Sequence, residues 1–118
     1  MSKLPINLSV RNNPGVIRLS SGSIQLVGNP AYLRVLINPT TKEIGFQASN
    51  MEDPKALKIC YGAHKAVLIC SKLLADRLFD LCDWNKDSSY RTLDCYLSPE
   101  NILMFKLQSA KESTRKHL

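Results

Sequence analysis

Few residues in this chain are of the types that most often perform chemistry, and their spacing does not favour it. There are only two histidines, His64 and His117. An isolated imidazole beside a turn is usually a surface residue or one whose hydrogen bonds are already satisfied, since a chemical role needs partner side chains that this sequence does not display. The five glycines never cluster as GxGxxG or GxxxxGK, so no phosphate loop is present. The sequence therefore predicts no catalytic residue, no cofactor and a protein that is not an enzyme.

Metal binding has one incomplete candidate. Cys60 and His64 are separated by three residues, which would place two ligands on one helical face, but no second pair completes a tetrahedral set. A further group of carboxylates recurs at helical spacing, and a solvated helix face accounts for it without a metal. These carboxylates are Asp76, Asp80, Asp83 and Asp87. We expect no metal site.

The cysteines lie inside apolar segments and are widely spaced along the chain. This arrangement resembles neither a disulfide framework nor a metal knuckle, so we expect free thiols that are mostly buried. The residues concerned are Cys60, Cys70, Cys82 and Cys95.

The net charge of +6 is unevenly distributed. Residues 1–75 contain nine Lys or Arg against three acids, whereas residues 76–118 contain seven of each. Such an asymmetry can steer an acidic partner towards one region. Because phosphates need cations and unpaired bases need flat rings on which to stack, a strand face that combines both residue types is a candidate nucleic-acid surface.

One strand face combines an aromatic ring with a cation. Tyr32 and Arg34 alternate with apolar residues and so share a face, while a second candidate face, which includes Tyr90 and Tyr96, also carries Asp94 and is less suited to phosphate. No motif of a named nucleic-acid module is present. The predicted nucleic-acid or partner-binding residues are Arg18, Tyr32, Arg34, Lys42, Lys55 and Lys58.

The periodicity predicts an α+β fold, mainly an antiparallel sheet of about three hairpins with one main helix packed on it. The hairpins cover residues 6–20, 31–48 and 90–107, and the helix covers about 72–83 with Ser71 as its cap. Residues 24–27 fit a helical turn or a short strand, and 55–61 fit a strand or a helix. The expected core comprises Leu33, Val35, Ile44, Phe46, Leu74, Leu78, Leu81, Leu103 and Phe105.

The length of 118 residues suits one domain. We expect residues 1–108 to form it and 109–118 to be a basic, frayed C-terminal tail. No apolar run reaches the length of a signal peptide or a membrane span, which predicts a cytoplasmic protein without a membrane partner. Unpaired sheet edges would allow a homodimer.

The stretch from Val27 to Gly45 reads VGNPAYLRVLINPTTKEIG. In outline it has Gly-Asn-Pro, an aromatic, an aliphatic strand, Asn-Pro, a lysine turn and a second strand. This stretch resembles a pattern found in short uncharacterised proteins of Gram-positive bacteria and their phages or mobile elements. It departs from that pattern at Val27, where leucine is expected. The resemblance implies a phage or mobile-element accessory protein that acts by binding.

These observations lead to one hypothesis and one alternative. The hypothesis is a non-enzymatic binding protein whose target is nucleic acid or a nucleoprotein. The alternative is an inhibitor or modulator of a partner protein, such as an anti-defence factor that acts on a host protein.

Overall fold

The computed structural model describes residues 6–62 and 65–113. The α+β class and the antiparallel pairing are confirmed, but the strands form two sheets rather than one. The strands are β1 (Leu8–Arg11), β2 (Val16–Leu19), β3 (Tyr32–Asn38), β4 (Glu43–Ser49), β5 (Leu57–Lys58), β6 (Cys60–Tyr61), β7 (Val67–Cys70), β8 (Ser89–Thr92), β9 (Cys95–Leu97), β10 (Ile102–Lys106) and β11 (Lys111–Ser113). The helices are α1 (Ser21–Leu26), α2 (Lys72–Cys82) and a 3-10 turn, Leu107–Ser109.

The six-stranded sheet has the order β11-β8-β1-β2-β7-β6, and the five-stranded sheet has the order β5-β3-β4-β10-β9. The first two predicted hairpins are confirmed as β1–β2 and β3–β4. One hydrophobic cluster joins the inward side chains of both sheets to those of the two α-helices. Each sheet therefore has one face towards this core and one face outwards.

The third predicted hairpin is only partly correct, because its first strand divides between the sheets. β8 pairs with β1 in one sheet and β9 pairs with β10 in the other. Between them the Asp94 amide donates to the Thr92 hydroxyl at 3.1 Å, and Leu93 is 63% exposed. Leu93 and Asp94 belong to neither ladder, and this interruption breaks the alternation of inward and outward side chains between β8 and β9. Tyr90 and Thr92 face the core, whereas Asp94 and Tyr96 do not. The predicted shared face of these residues does not exist.

The ambiguous segment 55–61 also passes between the sheets. β5 pairs with β3 and β6 pairs with β7, and the intervening Ile59 is buried in the common core. Neither strand exceeds two residues, which explains why periodicity could not assign the segment.

Both helices begin at serine caps. Ser71 accepts a hydrogen bond from the Leu74 amide at 3.2 Å, as predicted, and α2 ends at Asp83, which adopts a left-handed conformation. The ambiguous segment near residue 24 is helical, and its cap is Ser20.

The predicted core is largely confirmed. Leu33, Ile44, Phe46, Leu78, Leu103 and Phe105 are buried, whereas Val35, Leu74 and Leu81 are only half-buried. The prediction missed Phe79, which is 1% exposed and packs edge-on against Trp84 and Tyr90. Helical spacing predicted that Leu74 and Leu81 would face the core together with Leu78. In the structure the buried face of α2 is instead formed by Ala75, Leu78 and Phe79.

Part of the expected tail is ordered in the six-stranded sheet. Lys111 to Ser113 pair with β8, and the Ser88 hydroxyl donates to the Glu112 carboxylate. Residues 114–118 lie outside the described part of the chain. The predicted boundary at residue 108 therefore does not mark the end of regular structure.

The four cysteines are free, but the expectation that they are mostly buried is wrong. Cys60 and Cys70 are exposed, and Cys82 and Cys95 are half-buried. Cys60 and Cys70 lie on the outward side of β6 and β7, where alternation turns them away from the core.

Replacing Phe105 tests the core. Phe105 is fully buried and contacts Phe46 edge-on, with ring centroids 6.1 Å apart, so Phe105→Ala should lower the free energy of unfolding by about 3–5 kcal/mol. Urea denaturation measures the loss. The control Leu73→Ala, at a side chain that is 83% exposed, should stay within about 0.5 kcal/mol of wild type. A loss below about 1 kcal/mol for Phe105→Ala would contradict this core.

Removing residues 111–118 tests the role of β11. The truncation deletes the ladder between β11 and β8 and leaves β8 as a sheet edge, so the melting temperature should fall by roughly 5 °C for each kcal/mol lost. Lys111→Gln keeps the backbone ladder and should melt close to wild type. An unchanged melting temperature in the truncated protein would show that β11 contributes no stability.

Candidate functional site

The predicted binding residues do not form one surface. Arg18 lies on β2 of the six-stranded sheet, whereas the others lie on or beside the five-stranded sheet. There, Tyr32 is opposite Lys58 in the β3–β5 ladder, Lys42 is in the β3–β4 turn with φ 57°, and Lys55 is exposed in the loop before β5. The division of the strands between two sheets separates Arg18 from the rest.

Arg34 is held by a carboxylate. Its Nε and Nη2 donate to the two Asp53 carboxylate oxygens, each at 2.9 Å. The Ser49 hydroxyl donates to the same carboxylate at 2.7 Å and the Lys55 amide at 3.0 Å. Arg34 and these donors hold the pKa of Asp53 well below its usual range, and Asp53 raises the pKa of Arg34. This bidentate pair secures the loop after β4 and neutralises the arginine.

A different set of arginines converges on the outward face of the six-stranded sheet. Arg11, Arg18 and Arg91 each alternate with buried neighbours on β1, β2 and β8. Ser9 of β1 pairs with Arg18 on one side and with Arg91 on the other, and Arg11 follows two residues later on the same side of β1. We call this surface the arginine face.

The sheet register fixes the spacing of the arginine face. Arg18 and Arg91 are two strands apart, about 10 Å between backbones, and Arg11 is diagonal to both at about 7–8 Å. The three side chains line one depression of about 390 Å³. The other residues that line it are Ser9, Val10, Val16, Ser89 and Tyr90.

No acid balances these charges at the depression. Its lining contains no aspartate or glutamate. Across residues 6–62 and 65–113, the salt bridges are Arg34–Asp53, Lys72–Asp76 and Lys86–Asp80, none of which involves the arginine face. Three guanidinium groups with accessible donors form a region of positive potential suited to an oxyanion.

Lys111 extends the positive charge beyond β8. It pairs with Arg91 across the β8–β11 ladder, and both residues line a second depression of about 420 Å³. Asp94 and Glu112 line that depression too. Carboxylates therefore lie near both Arg91 and Lys111 on this side of β8, whereas none lines the depression that Arg91 shares with Arg11 and Arg18.

The β1–β2 turn anchors two of the arginines to α2. Gly15 has φ 106°, and a Cβ added there would lie 2.6 Å from the Lys72 Cα, so only glycine fits this contact. The Ser71 amide donates to the Gly15 carbonyl at 3.0 Å, and the Lys72 ammonium donates to the Asn12 carbonyl at 2.9 Å. The hairpin bearing Arg11 and Arg18 is thus held against the helix.

Sequence reasoning found Arg18 but missed Arg11 and Arg91. Arg11 could have been assigned to this side, because it continues the alternation of Ser9 on β1. Arg91 carried no such signal, since its neighbour β1 lies about eighty residues earlier in the chain. Pairing between distant segments cannot be inferred from local periodicity.

The metal candidates are not brought together. Cys60 is exposed on β6, and its predicted partner His64 lies outside the described residues. Asp76 accepts from Asn12 and faces Lys72, while Asp80 faces Lys86. In the described part of the chain, no three His, Cys, Asp or Glu side chains cluster as a metal site, and no helix has the length and apolarity to span a membrane.

Arg34→Gln tests whether Arg34 is structural. The variant should be less stable at neutral pH and should return the pKa of Asp53 towards its ordinary range, which an NMR titration of that carboxyl measures. Because the pair depresses the folded pKa, its stabilisation is present above about pH 4 and is lost as the pH falls further. Lys55→Gln is the control, since only the Lys55 backbone contacts Asp53. An unchanged Asp53 titration would contradict this assignment.

Comparison of the chain with protein-family models, with curated proteins and with solved structures found no match.

Proposed function

We propose that this protein is a non-enzymatic nucleic-acid-binding protein and that the arginine face contacts the phosphates. The observation that carries the proposal is the convergence of Arg11, Arg18 and Arg91 on one depression without an acid in its lining. Guanidinium groups donate in a planar fork that matches two phosphate oxygens. A repeating phosphate backbone is the ligand that engages several such groups at once.

The arginines are well placed for this role because their strands lie inside the sheet. β1, β2 and β8 are each paired on both sides, so the three Cα positions are fixed before a ligand arrives. Fixed positions reduce the conformational entropy lost on binding. Only the ends of the side chains need to be ordered.

The outward face of the five-stranded sheet is less suitable. It carries Glu43, whose carboxylate accepts from the Thr41 hydroxyl at 2.8 Å and from Tyr96, a contact that raises the pKa of Tyr96. Arg34 on the same face is neutralised by Asp53. Asp53 opposes phosphate binding at the Tyr32 end of β3, and Glu43 opposes it at the opposite end of the β3–β4 ladder. The proposed interface is therefore the other sheet.

Removing charge from the arginine face should weaken binding in a salt-dependent way. Each phosphate contact contributes about 0.9 to the slope of log K against log salt for a duplex. Arg18→Gln or Arg91→Gln should flatten the slope by about that amount, as measured by fluorescence anisotropy with labelled DNA between about 50 and 200 mM salt.

The matched control is Arg77→Gln, which removes the same charge from an exposed position on α2. It should keep the wild-type slope within about 0.3, a fraction of one phosphate contact, because long-range screening reduces its effect. Equal losses in all three variants would mean that net charge alone governs binding and would contradict the proposed interface. Absence of binding at about 50 mM salt, where electrostatic binding is strongest, would refute the proposed function and leave a protein partner.

A further inference from the structure

We infer that the ligand of the arginine face is double-helical nucleic acid, bound through its phosphates without preference for base sequence. This inference rests on the proposed function and concerns which form of nucleic acid the same surface selects. Two features support it: the absence of an available aromatic ring on the face, and the breadth of the sheet.

Aromatic rings are the usual platform for unpaired bases, since stacking contributes about 1–3 kcal/mol per base. Within residues 6–62 and 65–113, no aromatic side chain shares the outward side of β1, β2 and β8 with the arginines. Tyr90 borders the depression, but it is only 8% exposed. Its ring stacks on that of Trp84, with ring centroids 4.3 Å apart. The remaining aromatic residues are Tyr32, Phe46, Tyr61, Phe79, Tyr96 and Phe105.

None of these six rings lies on the arginine face. Phe46, Phe79 and Phe105 are in the core. Tyr32 and Tyr96 lie on the five-stranded sheet, and the Tyr61 hydroxyl donates to the Pro30 carbonyl at 2.6 Å. An unpaired strand would therefore gain no stacking energy at the arginine face.

Without stacking, charge density decides between the two forms of nucleic acid. A duplex carries one negative charge per about 1.7 Å, and its salt slope per contact is about 0.9, against about 0.7 for a single strand. Three arginine contacts would make the slope for the duplex steeper by about 0.6 than the slope for a single strand. If the two affinities are equal at about 1 M salt, the duplex then binds about sixfold more tightly at about 50 mM. The preference should shrink steadily as salt increases.

The breadth of the sheet argues against reading the bases. Six strands spaced by about 4.8 Å span about 24 Å, whereas the major groove is about 12 Å wide and admits a helix or a two-stranded ribbon. The sheet face would lie across the phosphate ridges instead. The side chains between the arginines, Ser9, Val16 and Ser89, are too short to reach base edges past them, and phosphate contacts carry no direct sequence information.

The test compares duplex and single-stranded probes of the same sequence by fluorescence anisotropy. The probes are labelled DNA duplexes of two unrelated sequences, an RNA duplex and the separated strands, each about 20 nucleotides long, from about 50 to 300 mM salt. The proteins are wild type, the double variant Arg18→Gln/Arg91→Gln and the control Arg77→Gln. Circular dichroism verifies that each variant is folded.

The inference predicts about sixfold tighter binding of at least one kind of duplex than of its own strands at the lowest salt, with a ratio that falls as salt rises. The two DNA sequences should bind within about twofold of each other, since phosphate contacts do not distinguish bases. The double variant should lose most of the affinity and Arg77→Gln little.

Two results would count against the inference in different ways. Single strands that bind as tightly as duplexes, or a tenfold preference for one DNA sequence, would overturn it while the proposed function stood, provided that the double variant still lost affinity. The proposed function would fail as well if every probe had the same affinity for wild type as for the double variant.

Discussion

One hydrophobic core shared by two antiparallel sheets is the constraint on which the rest of this structure depends. Each strand must turn one set of alternate side chains towards that core, so the other set must face outwards. On β1, β2 and β8 the inward set is apolar apart from the buried Thr92, and the outward set contains Arg11, Arg18 and Arg91. Burial of one face thereby concentrates positive charge on the other.

The same constraint explains where the chain changes sheets. At Ile59 it crosses with a single buried residue between two short strands. At Leu93 and Asp94 it crosses with an exposed pair, and the Thr92 hydroxyl links the two sides by accepting from the Asp94 amide and donating to the Lys106 carbonyl. This second crossing places β8 beside β1, and Arg91 reaches the other arginines only because of it.

Local patterns predicted the local parts of the fold. The turn at Pro14-Gly15, the lysine turn before Glu43 and the Ser71 cap each act within a few residues, and the hairpins and α2 follow from them. Strand partners brought together from distant segments were not predictable in this way, as the β1–β8 pair and the division at Leu93 show.

The candidate site was likewise predictable only where local patterns determine it. Arg34 was predicted as a binding cation because its partner Asp53 lies nineteen residues away, beyond the reach of a local pattern. Arg18 was identified from its own strand, but its neighbours on the surface come from β1 and β8. The charge asymmetry of the sequence indicated a basic region, whereas the sheet register was needed to identify the residues that form it.

The most direct test of this account is to map the nucleic-acid interface by NMR. In a titration of isotope-labelled protein with a short DNA duplex, the largest amide shift changes should fall on β1, β2 and β8 around Ser9, with Arg11, Arg18 and Arg91 among them. The amides of β3, β4 and β5 should change little. Shift changes centred on Tyr32, Lys55 and Lys58, with β1, β2 and β8 unchanged, would contradict the account.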